Sequence, residues 1–351
     1  MIGLALAAAL ALSPLTGIGA PPLPTEIMVV PPELRAILQE QVLDRTRNKS
    51  QRLELLVGMM SKSSLDIQYH DDATQTVAQS FQSRQANCLT HTLMFLALAR
   101  EAGLNAYPQE IEETLAWHQE DGIVYRTSHV NAGINIGTRR YVVDVGSSFI
   151  IGRRPAKQVS QSRLLAHYYN NRAAQLLAEG NLPLALAHAE IAISLDATFP
   201  TTWSNTGVLY LRNGDRSGAE QAYLRALALK PTHTGALFNL IGLYERTGDR
   251  VRAAEMRARL DKLQSTDPFH EFLRGVEFEN IGDGPNAVSS YRRVIAVLGN
   301  EHRFHYRLSR AYLLTGNQRA ARHALQRAMA LCGNDPVCAQ YQVELNALRS
   351  D

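Results

Sequence analysis

Three side chains in the first half of the chain are of the types that cysteine-based acyl transfer uses. They are Cys88, His129 and Asp144, in that order along the sequence. A thiolate attacks an amide carbonyl, an imidazole moves the proton, and a carboxylate holds the imidazole in one tautomer. The three residue types therefore predict a nucleophilic site, provided that the fold brings them together.

The segment around Cys88 predicts the first turn of an apolar helix. Asn87 and Thr90 are suited to a cap, leucines follow at helical spacing, and Gly103 ends the pattern. Backbone N–H groups and the helix dipole favour an anion at a helix N-terminus, which lowers the pKa of a thiol there. We therefore interpret Cys88 as a candidate nucleophile.

The hairpin that follows is expected to position the other two residues. After Gly103 the apolar pattern changes to alternation, and segments 129–136 and 141–146 flank a turn near Thr138. His129 begins the first strand and Asp144 lies on the second, so their side chains can share one face although they lie a few residues out of opposition. Helices followed by a small antiparallel sheet predict an α+β domain.

This arrangement resembles the transglutaminase-like, papain-related superfamily over about residues 30 to 152. The resemblance rests on Cys88 with its apolar helix, on His129-Val130-Asn131, and on the strand that ends at Asp144. It implies a papain-like α+β domain at 25–155 and a cysteine peptidase, amidase or acyltransferase that acts on amide bonds. The implied triad is Cys88, His129 and Asp144, with no cofactor and no metal.

Several alternatives to this site stay open from the sequence. The domain could be a degenerate, catalytically inactive scaffold, or Cys88 could be a redox or metal thiol. A zinc site from Cys88, His91 and His129 lacks a second close ligand pair, and His91 is more typical of a structural histidine. The resemblance also makes Gln82, six residues before Cys88, a candidate oxyanion donor, because papain-like enzymes use a glutamine at that offset; Gln79 and Gln85 are competing candidates.

The second half of the chain repeats every 34 residues. Five glycines hold this register, each followed by Asn or Asp and then by an alanine five residues further on; they are Gly180, Gly214, Gly248, Gly282 and Gly316. A period held through five units predicts a solenoid of paired helices. We expect each glycine to end a first helix and each alanine to let two helices approach closely.

These repeats resemble tetratricopeptide repeats, since Trp203, Gly207, Tyr210 and Pro231 occupy the motif positions of the second unit. The resemblance predicts an all-α array over 164–351, with a linker at 156–163 and a polar capping helix at the C-terminus. The expected repeats are at about 166–199, 200–233, 234–267, 268–301 and 302–335. Such an array implies a groove for a protein or peptide partner, towards which Asn171, Asn205 and Asn239 are candidate contacts.

Composition limits the remaining classes of partner and compartment. The 351 residues carry a net charge of +3, too small to indicate a nucleic acid or an anionic membrane as partner. Residues 1–20 are apolar and end in small residues, as in a cleaved export signal, and only an uncleaved signal would attach the chain to a membrane. Cys332 and Cys338 flank a short loop that a disulfide can close in an oxidising compartment. We expect an exported, periplasmic protein, with a cytoplasmic location as the alternative.

Overall fold

A computed structural model describes residues 19–60, 65–117, 124–144, 149–152, 155–333, 335 and 337–350. The expected signal at 1–20 therefore lies almost wholly outside the described residues. The helices before the repeats are α1 Pro32–Leu38, continued by a π-helical segment at Gln39–Leu43, then α2 Lys49–Met60, α3 Val77–Ser83 and α4 Cys88–Glu101. The strands are β1 Gln68–Tyr69, β2 Gln85–Ala86, β3 Asn105–Trp117, β4 Val124–Ile136, β5 Arg139–Val143, β6 Phe149–Gly152 and β7 Lys157–Gln158.

The repeat region consists of paired helices. They are α5 Gln161–Ala178, α6 Leu182–Leu195, α7 Pro200–Arg212, α8 Arg216–Leu229, α9 Thr234–Thr247, α10 Arg250–Ser265, α11 Pro268–Asn280, α12 Gly284–Val297, α13 His302–Leu314, α14 Gln318–Leu331 and the final α15 Cys338–Ser350. The segment interpreted as a linker, 156–163, contains β7 and the first residues of α5.

The chain divides into two compact units. The first comprises Met1–Pro108, Val130–Val145 and Gln158–Ala222, and the second comprises Gln109–His129, Gly146–Lys157 and Tyr223–Asp351. Each unit thus combines part of the α+β region with part of the repeats. The domains predicted from sequence patterns are continuous segments of the chain. The two units defined by contacts each contain several separate segments.

Helix α4 is the centre of the first unit. Every residue from Leu89 to Ala99 is buried, so the helix is covered on all sides and not on one stripe. Side chains from α1, α2, β4 and α5 belong to the same apolar cluster; they include Leu34, Leu38, Leu53, Leu56, Val130, Ala132, Ile134, Leu164 and Tyr169. This packing holds the start of α4, and with it Cys88, in a rigid setting.

Strands β4 and β5 form the antiparallel hairpin that the sequence predicts. Ile136 pairs with Arg139 across a two-residue turn, in which Gly137 takes a φ of +59°. The ladder runs to the pair Ala132–Val143. Strand order in the larger sheet is β5-β4-β3-β6, with β7 also paired to β3, while β1 and β2 form a separate parallel pair.

The turn inside each repeat is set by two adjacent residues. All five repeat glycines are left-handed, with φ between +72° and +82°, a region in which a Cβ is disfavoured. The Asn or Asp that follows caps the second helix: the Asp249 side chain accepts a hydrogen bond from the Arg252 N–H, and Asn317 accepts one from Ala320. In the sequence these residues stand out only as the Asn or Asp that follows each repeat glycine, and the structure shows that they are N-caps.

The last repeat is closed by α15. Cys332, which follows α14, and Cys338, which begins α15, form a disulfide. Tyr341 and Leu345 of α15 are buried against Leu325 and Ala328 of α14. The expected capping helix is therefore present, at Cys338–Ser350. Among the described residues no helix is both long enough and apolar enough to cross a bilayer.

Candidate functional site

The start of α4 is held by the buried side chain of Asn87. Its carboxamide oxygen accepts a hydrogen bond from the Thr90 N–H at 2.9 Å, and its amide donates to Thr74 Oγ1 at 2.6 Å. Both polar ends of the cap residue are thus satisfied inside the protein. The result is a helix whose first residue is fixed in position, as preorganised sites require.

Cys88 is that first residue, and its thiol is free and half-buried. Thr92 lies one turn further along on the same face of α4. The Thr92 hydroxyl shares its one hydrogen between two backbone carbonyls, that of Cys88 at 2.9 Å and that of Val130 at 3.1 Å. The helix face that carries Cys88 therefore faces strand β4 close to Val130.

His129 and Asp144 occupy different settings on the hairpin. His129 lies in β4 and is 2% exposed, whereas Asp144 directly follows β5 and is exposed. One step beyond the last ladder pair, Asp144 comes opposite Asn131, two residues along β4 from His129. By contacts, Cys88 and Asp144 belong to the first unit and His129 to the second, so the triad stays a prediction.

Asn131 is a polar residue that the sequence analysis did not single out as a site candidate. It is 2% exposed, and its carboxamide oxygen has no hydrogen-bond partner among the described residues. Buried polar atoms are rarely left unpaired without a reason. Sequence alone offered only a weak signal, because an asparagine on a predicted strand gives no indication of burial.

His91 is a structural residue of the α4 core. It is 5% exposed, and its Nδ1 has no partner among the described residues. Burial lowers the pKa of His91 to about 4. The imidazole is therefore neutral near pH 7 and is not a cation that would stabilise a thiolate.

The three glutamines considered as oxyanion donors all lie before α4. Gln79 is engaged in a capping box with Thr76 at the start of α3. Gln82 is exposed and lines a pocket of about 620 Å³ together with Gln79, Tyr168 and Arg172. Gln85 is an exposed residue of β2. The assignment of an oxyanion donor stays a prediction.

The part of the chain that the structure describes contains no cluster of side chains suited to bind a metal ion. No group of three or more His, Cys, Asp or Glu side chains there is arranged to hold an ion. Protein metal sites are generally built from several such ligands held close together.

The repeats expose a different kind of candidate surface on α9. Phe238 is 68% exposed, although Leu237, Leu240 and Ile241 of the same helix are buried. A large exposed aromatic side chain on a rigid helix is a common anchor for a partner. Phe238 does not stand out in the sequence, because an apolar residue on an amphipathic helix is expected to face the core.

The asparagines expected to contact a peptide are half-buried. The Asn205 amide donates to the carboxamide oxygen of Asn170 at 2.9 Å, a contact between α7 and α5. Asn171 and Asn239 are also half-buried in their helices. The Asn205 amide is therefore used, at least in part, in a hydrogen bond between neighbouring repeats.

Comparison with protein families identifies the repeats. A tetratricopeptide-repeat model matches residues 204–268 and 272–336. The chain therefore carries tetratricopeptide repeats, and the all-α repeat region that the sequence predicted is confirmed. The described strands give the N-terminal part an α+β composition, but the comparisons give no support for its assignment as transglutaminase-like.

The first two of the following similar solved structures are described as TPR proteins. YrrB, described as a TPR protein with an unusual peptide-binding site, is 22% identical over 51% of this chain and 92% of its own, with a TM-score of 0.28. A thermophilic TPR protein from Thermus thermophilus is 18% identical over 53% and 100%, with a TM-score of 0.29. MamA is 16% identical over 50% and 95%, with a TM-score of 0.27. No curated protein matches the chain.

Proposed function

We propose that this protein is an interaction protein whose tetratricopeptide repeats bind a peptide segment of a partner protein, with the exposed face of α9 as a principal contact. The observation that carries the proposal is Phe238, which is 68% exposed on a first helix of a repeat. Exposing this ring to water is unfavourable, and a partner would remove that cost.

The surroundings of Phe238 favour a peptide. Gly242 lies one turn further along α9 and has no side chain to cover the helix there, and the nearest group to that position is the guanidinium of Arg246. Arg246 is exposed and offers a guanidinium that can bind a carboxylate or a backbone carbonyl. Aromatic side chains and arginine are enriched at protein interfaces and their hot spots.

The first prediction concerns Phe238→Ala. Peptides selected from a random phage-displayed library on the full chain are expected to bind this variant at least about tenfold more weakly, because hot-spot truncation removes the buried aromatic contact. Fluorescence anisotropy with the selected peptides measures the change. Val251→Ala is the matched control, since Val251 of α10 is 80% exposed in the same repeat and we expect no effect. Equal binding by Phe238→Ala would exclude α9 as the contact.

A second candidate function is acyl transfer by the N-terminal domain at 25–155. The hydrogen bond between Thr92 and Val130 favours this function. It shows that the face of α4 that carries Cys88 lies against β4, the strand that also contains His129. In this hypothesis the Cys88 thiolate attacks an amide carbonyl to form a thioester, and the departing amine takes a proton from His129. Water or a second amine then cleaves the thioester, while Asp144 orients the imidazole.

The second prediction separates this enzyme from an inactive scaffold. If His129 activates Cys88, then His129→Ala is expected to slow alkylation of Cys88 by iodoacetamide near pH 7 by at least about tenfold, because the thiolate loses its partner. Asp144→Asn is expected to have a smaller effect in the same direction. Intact mass reports the label on Cys88, since Cys332 and Cys338 are bonded to each other.

Two controls make that measurement decisive. Cys88→Ser should take up no label, and His70→Gln, at an exposed position, should react at the wild-type rate. Circular dichroism confirms that His129→Ala is folded. Alkylation that is indifferent to both His129 and Asp144 would contradict the triad and leave the scaffold.

The proposed compartment rests on the disulfide of the last repeat and on the N-terminal segment. The bonded pair Cys332–Cys338 supports an oxidising environment, in which export through the segment at 1–20 would place the chain. A periplasmic location follows from that proposal.

A further inference from the structure

The helices α12, α13 and α14 of the second unit enclose a groove of about 720 Å³ that the proposed function does not use. Its size falls within the range typical of ligand-binding clefts. The floor is apolar and includes Leu308 and Tyr312 of α13 and Ala324 of α14. Apolar material at the base of a groove favours a ligand that also has apolar side chains.

The rim of the groove is basic. Arg292 comes from α12, Arg319, His323 and Arg327 come from α14, and His305 lies deeper on α13. None of the twelve described residues that line the groove is acidic. A concave surface with charges of one sign concentrates a ligand of the opposite sign.

The arginines of the rim differ from their neighbours in how they are paired. Among the described residues, Arg292, Arg319 and Arg327 have no ion-pair partner, whereas Arg293, next to Arg292, pairs with Glu271 at 2.9 Å. The charge of Arg293 is thus neutralised within the protein, and the three rim arginines are available to a ligand. The Nε2 atom of His305 lies 2.9 Å from the Gly299 carbonyl oxygen, and this contact fixes its ring.

The spacing of the rim matches an extended chain. Arg319, His323 and Arg327 follow each other at four-residue intervals on α14, which corresponds to steps of about 6 Å along the helix axis. In an extended peptide, every second side chain points the same way at steps of about 6.6 Å. Carboxylates at alternate positions of a peptide would therefore meet the three basic side chains in turn.

We propose that the groove of α12, α13 and α14 binds an extended acidic peptide, in which aspartate or glutamate alternates with apolar residues. The carboxylates pair with the arginines of the rim, and apolar residues pack on the floor around Leu308 and Tyr312. This site goes beyond the proposed function, because it uses a surface separate from Phe238 and specifies the chemistry of the bound segment.

The test uses a fluorescein-labelled peptide of alternating Asp and Leu, about seven residues long, titrated with the full chain. We expect saturable binding that weakens as sodium chloride rises from about 50 to 500 mM, because salt screens exposed charge pairs. A peptide with Asn in place of Asp should bind at least about tenfold more weakly, since it keeps the shape and loses the charge.

Variants locate the binding to the groove. The double substitution Arg319→Glu/Arg327→Glu should lower affinity at least about tenfold by replacing attraction with repulsion. Arg250→Glu changes an exposed arginine on α10 and should leave affinity unchanged. Phe238→Ala should also leave it unchanged, so that failure of the α9 proposal is distinguishable. A thermal melt checks that each variant is folded.

Three outcomes would overturn the proposal. They are equal binding of the Asp and Asn peptides, equal binding by wild type and the double variant, and preference for a deoxythymidine decamer that the same double substitution abolishes. The last result would assign the groove to nucleic acid, against the small net charge of the chain.

Discussion

Replacement of His91 by leucine is expected to remove about 3 kcal/mol of acid-induced destabilisation from the first unit. Burial lowers the pKa of His91 to about 4 in the folded chain, whereas the pKa of a histidine in an unfolded chain is about 6.5. Below that pH the imidazole is therefore protonated in the unfolded state, whereas it stays neutral in the folded state until the pH approaches the lowered pKa. The stability that neutral His91 contributes is complete above the unfolded pKa and is lost as the pH falls towards the folded value.

Hydrogen exchange in α4, corrected for intrinsic rates, measures this effect near neutral pH and at about pH 4.5, on either side of the unfolded pKa. His91→Leu should show a smaller drop in the free energy of opening than the wild type, because leucine suits the apolar surroundings and does not titrate. His70→Gln is the control, since it also replaces a histidine but at an exposed position outside α4. An unchanged pH dependence in His91→Leu would show that α4 does not bury a neutral histidine.

Replacement of Arg307 by methionine is expected to cost about 3 kcal/mol of stability in the second unit, because it removes the buried one of the two guanidinium groups that pair with a buried carboxylate. Arg307 and Glu279 are 8% and 5% exposed and lie 3.2 Å apart. The Tyr291 hydroxyl donates to Glu279 at 2.7 Å, and burial, with the nearby Glu279, raises the pKa of Tyr291. Arg310 approaches Glu279 from the exposed side at 2.9 Å, which limits the loss.

Urea unfolding, followed by hydrogen exchange in α11 and α13, provides the measurement. Arg274→Met is the matched control, because Arg274 pairs with Glu271 at 3.4 Å while 46% exposed, and exposed pairs are worth less than about 1 kcal/mol. The double variant Glu279→Leu/Arg307→Met should be more stable than Arg307→Met alone, since it no longer buries a carboxylate that has lost its buried guanidinium partner. A double variant less stable than the single variant would show that the charge itself is not the cause.

Helix ends and turns of this protein were predictable from sequence where a single residue, a glycine with positive φ or a capping side chain, sets the local backbone conformation. The 34-residue register of glycines predicted the helix pairs, and all five glycines are left-handed. Asn87 predicted the start of α4 at Cys88, and the turn near Thr138 predicted the β4–β5 hairpin. In each case a positive φ or a side-chain cap acts within a few residues, so the sequence carries the information locally.

The candidate sites depended on contacts between distant residues and were predicted only in part. Residue types identified Cys88, His129 and Asp144, but the end of the ladder at Ala132–Val143, just before Asp144, and the burial of His129 came from the structure. Phe238 and the arginines of the α12–α14 groove were not distinguished from other residues of their type. Exposure and pairing depend on which helices pack together.

The sequence by itself determined that helix pairs repeat every 34 residues in the second half of the chain, that Cys88 begins a helix, and that a hairpin follows. It could do so because periodicity, capping and turn chemistry are short-range properties of the chain. Only the tertiary structure decided that α4 is buried all round, that His91 is neutral, and that three arginines without an ion-pair partner among the described residues surround an apolar groove. Those features follow from desolvation and charge pairing, which depend on residues far apart in sequence that folding brings into contact.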